Sequence, residues 1–149
     1  MLDVTYEAVD DLAPGQLADV EEDRGRVRFR LDRTSPLADV VRQLNIELDR
    51  LLSAARWFQM WGSEFVSRNT PGCPLRVEYV LHPEMPRSIG VGIAEERGIV
   101  RVYISPDLDV EEFTASMNPI SMGILEGGHW FQLYGGEIVD NSPEPANRV

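Results

Sequence analysis

From Leu37 onward, apolar residues recur at intervals of three and four: Leu37, Val40, Val41, Leu44, Leu48, Leu51, Leu52, Ala55 and Phe58. A helix of 3.6 residues per turn buries a stripe of that period, and Asp39, Arg42, Glu47, Asp49, Arg50 and Arg56 fall mostly on the other side. Ser35-Pro36 supplies a start, since serine can cap free amides and proline fits the first helical position. Asn69-Thr70-Pro71-Gly72 must stop the element, so the spacing predicts one long helix over 35–68. At 1.5 Å per residue such a rod is about 50 Å long, longer than a domain of this size is wide. Either Gly62-Ser63 bends it, or its end projects and meets a partner.

Elsewhere the period is two. Val27, Phe29 and Leu31 alternate with Arg26, Arg28 and Arg30, the pattern of a half-buried strand. Leu75 to Leu81, Ile89 to Ala94 and Ile99 to Ile104 alternate likewise and read as a three-stranded meander. The hydrophobic pattern selects a two-residue turn at Arg97-Gly98, because an odd turn would set apolar residues against polar ones. With the Gly90/Gly92 strand in the centre, Glu78, Gly92 and Arg101 form one row of the polar face. Val80, Gly90 and Tyr103 form the next. Asp109 or Ser105 caps a short helix over 109–117, which Asn118-Pro119 ends. His129 to Tyr134 and Glu137 to Val139 flank Gly135-Gly136 as a last hairpin. Residues 1–25 read as a weakly ordered acidic arm with at most a short strand at Val4 to Ala8, and the tail 141–149 as loose. No internal repeat is read. The fold class is therefore α+β: an antiparallel sheet packed against one long and one short helix, in a single domain over 26–140.

Composition narrows the function. The 149 residues carry 14 basic and 25 acidic side chains, a net charge of −11, which disfavours nucleic acid and anionic membranes as partners and suits a basic protein partner. Every basic residue is arginine, so chemistry that needs a lysine amine is excluded, as are the aldimine of pyridoxal phosphate and the phosphate-loop lysine. Cys73 is the one cysteine and rules out an internal disulfide. No signal-like segment or long apolar run is read, and the cytoplasm is the expected location. Arginine-only usage points to a GC-rich bacterial or phage source.

Candidate chemistry is thin. His82 and His129 lack a carboxylate cluster, so neither a metal nor a cofactor is expected. Cys73 between Gly72 and Pro74 has no evident histidine partner, and Gly90-x-Gly92 lies in a strand, where no helix N-terminus receives a phosphate. Two constellations remain. Trp57, Phe58, Met60, Trp61 and Phe65 crowd the end of the long helix with more aromatic breadth than one core can hide, the composition of a protein interface. Glu78, His82, Gly90, Gly92, Arg101 and Tyr103 outline a shallow groove for a peptide or small ligand.

In order of elements and in acidity, residues 35–140 are similar to the small dimeric secretion chaperones of the type III class, although the third helix of that class is missing here. The resemblance implies a dimeric, non-catalytic protein binder. The leading reading is thus a small acidic adaptor, chaperone-like or regulatory, that binds a protein partner or itself through the aromatic part of the helix. The alternatives are a ligand-binding domain or enzyme using Glu78, His82 and Arg101, and a structural subunit of a phage or other particle.

Overall fold

The computed structural model describes residues 3–23, 26–53, 57–61, 64–67, 75–96, 99–127, 129–134 and 137–140. The alternating arginine segment forms strand β3 (Arg26–Asp32), in the middle of a sheet. Strand β1 (Asp3–Val9) pairs with it in parallel and β2 (Ala18–Asp23) antiparallel. Val27, Phe29 and Leu31 are buried on one face and the arginines lie on the other. The acidic first residues, expected to be a loose arm, supply two of these three strands. Their charge is what misleads: Glu7 and Glu21 pair with Arg28, and Asp11 with Arg30, so the acids are neutralised across the sheet while Tyr6 and Ala18 enter the core.

Helix α1 (Leu37–Ser53) buries Leu37, Val40, Val41, Leu44, Leu48 and Leu52, as its period requires. It is not the expected rod. After Ser53 the chain turns into an antiparallel hairpin, β4 (Trp57–Trp61) with β5 (Glu64–Ser67). Ala55 and Phe58 continue the helical spacing by coincidence, whereas a run of aromatics ahead of a two-residue Gly62-Ser63 connection favours a strand. Ser35 does not cap the helix either. Its hydroxyl donates to Asp32 Oδ2 at 2.5 Å, which holds that carboxyl below its usual range.

Strands β6 (Arg76–Leu81), β7 (Val91–Glu96) and β8 (Ile99–Ile104) form a second sheet in the order β6-β8-β7. This is not a meander: β8 is central and runs parallel to β6, and the glycine-bearing β7 is an edge. The loop 82–90 is long enough to cross the end of β8, where His82 N–H donates to Ile104 O (2.8 Å) and Ser105 N–H to Gly90 O (2.7 Å). Glu96 opposite Ile99 fits the even turn read from the sequence, although Arg97 and Gly98 lie outside the described residues.

Helix α2 (Val110–Gly127) starts where expected, with Asp109 Oδ1 accepting Glu112 N–H (2.7 Å) and Glu112 Oε1 accepting Asp109 N–H (3.2 Å). It continues through Pro119 and is as long as α1, so the pairing of one long with one short helix is corrected. Asn118 is held in place by two hydrogen bonds to Tyr6, and beyond the proline the buried Ser121 hydroxyl donates to Asn118 O (3.0 Å). The last hairpin forms as read, β9 (His129–Tyr134) with β10 (Glu137–Asp140). The two hairpins join in one sheet of order β10-β9-β4-β5.

The element order is therefore βββαββ twice over, and the expectation of no internal repeat is overturned. A shift of 73 residues, the separation of Tyr6 from Tyr79, brings every element of the first half onto its counterpart without a gap. It aligns Arg24-Gly25 with Arg97-Gly98, Val27-Arg28 with Val100-Arg101, Asn45 with Asn118, and Trp57-Phe58-Gln59 with Trp130-Phe131-Gln132. The halves meet about a pseudo-twofold axis. Helix α1 packs on β6 of the other half and α2 on β1. Asn45 Oδ1 accepts Tyr79 N–H (2.8 Å) and its amide nitrogen donates to Tyr79 O (2.9 Å); Asn118 does the same to Tyr6 at 2.8 and 3.0 Å. The Tyr6 and Tyr79 hydroxyls meet at 2.5 Å between the halves, and both rings stand edge-on to Phe113. One continuous core draws on both halves.

Candidate functional site

Pseudo-symmetry lets one half of the molecule serve as the control for the other. On the outer face of sheet β1-β3-β2, Arg28 Nη2 donates to both carboxylate oxygens of Glu7 (3.0 and 3.1 Å), and Arg28 Nη1 lies 3.7 Å from Glu21. The Glu7 carboxylate raises the pKa of the Arg28 guanidinium. Arg30 reaches Asp11 at 2.6 Å and Glu21 at 4.0 Å. The face is a solvated ladder of compensated charge, each rung worth little to stability.

The same positions of sheet β6-β8-β7 carry different chemistry. Glu7 is replaced by Val80, Asp19 by Gly92, Glu21 by Ala94 and Arg30 by Tyr103. Register sets Val80 beside Tyr103 and Tyr103 opposite Gly92, so these form one row. The ring of His82 stands edge-on to Tyr103, centroids 5.7 Å apart. The terminal methyl of Met85, in the crossing loop, lies 3.4 Å from where a Cβ on Gly92 would be, so the methionine occupies the space that glycine leaves. Val80 is 37% exposed and Ile89, in the same loop, 63% exposed. Arg87 of that loop is ion-paired with Glu112 at the start of α2, which ties the loop to the helix.

The charged border of this patch is the next row. Glu78 stands opposite Arg101, and its carboxylate takes Arg101 Nε at 3.4 Å and Arg76 Nη1 at 3.0 Å. The sequence reading placed Glu78 and Arg101 on one face, which is where they are, but had them meet across Gly92. They are instead direct neighbours, and Gly92 belongs to the Tyr103 row. Glu78 and His82 are four residues apart on one extended segment, about 13 Å, so they do not form an acid–base pair. His82 Nδ1 accepts the Glu84 N–H at 3.2 Å.

Gly90 leaves the expected groove altogether. It is buried at φ +78°, with Ser116 Oγ 3.4 Å and Leu108 Cδ1 3.7 Å from a would-be Cβ, and so faces α2. Of the expected helical interface, Trp57, Phe58, Met60 and Trp61 lie on β4 and Phe65 on β5. Phe58 is half-buried; the side chains of Trp57, Met60, Trp61 and Phe65 lie outside the described residues, as do Cys73 and the His129 side chain. Among the described residues no cluster of three histidine, cysteine or carboxylate side chains could hold a metal, and no helix is long and apolar enough to cross a membrane. Met85 is not found from sequence, and Val80 and Arg76, which the alternation places on this face, are not counted among its site residues. The signal that finds them is the 73-residue comparison, which turns an ordinary valine into a valine standing where its counterpart is a paired glutamate. No protein-family model, curated protein or solved structure matches the chain.

Proposed function

We propose that this protein is a non-enzymatic, protein-binding adaptor of the chaperone-like or regulatory kind, and that its contact surface is the outer face of sheet β6-β8-β7. The reading is supported by the divergence of two faces that share one backbone. Where one half keeps Glu7, Glu21 and Arg30 in a charge ladder, with Asp19 opposite Arg30 in register, the other presents Val80, Ala94, Tyr103 and Gly92. Solvent makes no demand for that exchange, since the charged version already satisfies the same fold. Aromatic and methionine side chains on a rigid strand surface are the usual anchors of a protein interface. The net charge of −11 selects a partner with apolar anchors and basic flanks. The aromatic-helix surface is no part of the proposal, because those residues are not helical.

The test exploits the internal control. A benzophenone amino acid replaces Tyr103 in one full-length variant and Arg30 in another, and both are irradiated in the source cells. An adduct specific to position 103, whose purified partner loses affinity at least tenfold for Val80→Glu, supports the reading. Equal adducts at 103 and 30, or none at 103, refute it. An adduct of twice the chain mass identifies the partner as a second copy.

A further inference from the structure

Each three-stranded sheet has two edges. On β1 and β6 the asparagines Asn118 and Asn45 take the backbone N–H and C=O of Tyr6 and Tyr79. The other two edges are β2 and β7. At β7 the register fixes which backbone groups face outward. Ser105 N–H donates to Gly90 O (2.7 Å), so Gly92, Ala94 and Glu96, at the same parity, exchange their bonds with β8. Ile93 and Glu95 therefore direct N–H and C=O to the open side, where among the described residues no partner takes them. Charge sets the two edges apart. Strand β2 carries Asp19, Glu21, Glu22 and Asp23, and the same positions of β7 carry Gly92, Ala94, Glu95 and Glu96. Charged side chains are how an edge strand refuses a further strand. The acids missing from β7 are two of the three on the outer face, at the positions beside Tyr103 and Arg101.

We propose that the open edge of β7 is a strand-addition site, and that its partner is an extended segment of another protein, laid antiparallel along Val91–Glu96. The proposal rests on the contact-face reading for its side-chain pattern, though not for its backbone ladder. The segment's residue opposite Gly92 stands next to a position without a side chain, where the Met85 methyl lies. An aromatic ring there packs on that thioether and extends the row of Tyr103 and Val80. Four residues earlier in the segment comes the position opposite Glu96, whose ladder partner is Ile99. With Glu95 beside it and a net charge of −11, this end calls for a cation. The pattern is a basic residue, three residues of any apolar or small kind, then an aromatic. No arginine of this chain stands four residues before an aromatic, and the chain has no lysine, so a second copy does not supply the segment.

The probe is the synthetic peptide Thr-Arg-Val-Thr-Val-Trp-Thr, fluorescently labelled and titrated with the full chain by anisotropy. Laid antiparallel on β7, its arginine stands opposite Glu96 and its tryptophan opposite Gly92. Its two valines stand opposite Glu95 and Ile93, where their N–H groups bond the edge. N-methylation of both valines removes those bonds and keeps every side chain. N-methylation of the arginine and the central threonine touches only groups that point away. The proposal expects saturable binding, weakened about tenfold or more by the valine methylations and changed by less than about twofold by the others. Equal effects of the two methylations, or no saturable binding up to about 1 mM, would overturn it. Ala94→Lys, at an exposed position opposite Arg101, should weaken the unmethylated peptide about tenfold at an unchanged urea midpoint, and undiminished binding by that variant would also overturn it. A cross-linked adduct specific to position 103, with no discrimination between the methylated peptides, overturns strand addition and leaves the contact face standing. Discrimination without that adduct supports strand addition and refutes the contact face.

Discussion

Replacing Asn118 with alanine removes two hydrogen bonds at once: Oδ1 accepting Tyr6 N–H at 2.8 Å and the amide donating to Tyr6 O at 3.0 Å. Strand β1 is the edge of its sheet, with β3 on its other side, so these groups have no strand to turn to. A desolvated backbone group left unpaired costs about 1–3 kcal/mol. The site is only partly buried and water can repair some of the loss, so the pair together should cost about 2–4 kcal/mol. With a urea slope of about 2 kcal/mol per molar, the midpoint should fall by about 1–2 M at unchanged slope. Asn45→Ala removes the same two bonds from Tyr79 and should fall by the same amount. Asn118→Asp is the sharper variant, because it keeps the acceptor but sets a carboxylate against the Tyr6 carbonyl, and should cost at least as much as alanine. Midpoint shifts below about 0.3 M for both alanine variants, equivalent to under about 1 kcal/mol, would show that the clamps hold nothing together. A large shift in one and none in the other would refute the equivalence of the halves.

Other expectations follow from the same contacts. Tyr6→Phe or Tyr79→Phe alone strands the other buried hydroxyl and should destabilise by about 1–3 kcal/mol, whereas the double Phe variant, with both partners removed, should be more stable than either single one in urea unfolding. Burial pushes both phenols up from their ordinary value, Tyr6 further through its neighbour Tyr79. The unfolded chain therefore loses phenolic protons first, and stability should be intact below about pH 10 and fall above it by about 1.4 kcal/mol per pH unit per tyrosine. The double Phe variant should flatten that alkaline limb. Gly15 (φ +81°) and Gly90 (φ +78°) both sit in the left-handed region. Alanine at 15 meets nothing within 4 Å and should cost about 1 kcal/mol, whereas at 90 it also presses on Ser116 Oγ and should cost more; equal thermal shifts would refute the contact.

The α+β class was legible in the sequence because the strongest periods are honest ones: buried Val27, Phe29 and Leu31 in β3, and buried Leu37 to Leu52 in α1. Two kinds of information were not. Apolar spacing cannot tell a helix from a strand where an apolar residue happens to fall three after the last, as Phe58 does after Ala55. Strand order is also invisible to spacing: alternation gave the faces of β6, β7 and β8 but not which strand is central, since that depends on where the 82–90 loop crosses. The first error is avoidable through the repeat. Trp130-Phe131-Gln132 before Gly135-Gly136 was read as a hairpin, and Trp57-Phe58-Gln59 before Gly62-Ser63 is the same pattern. The acidic arm is a similar case, since Arg28 and Arg30 lie close enough in sequence to suggest neutralisation but not the sheet that performs it.

The duplication also explains why the candidate site escaped a reading by motif. Inward-facing positions are constrained twice, by their own sheet and by the helix of the other half, as at Tyr6, where Asn118, Phe29 and Phe113 all converge. Outward positions face only solvent, and each half carries a copy of them. One copy can then keep a charge ladder that guards its strands against unwanted pairing, as acids on the edge strand β2 do, while the other trades charge for apolar contact at no cost to the core. The exchange appears as four unremarkable residues, Val80, Gly92, Ala94 and Tyr103, none of which is informative alone. Each gains meaning from the residue its counterpart keeps, so only the comparison of the two halves picks them out.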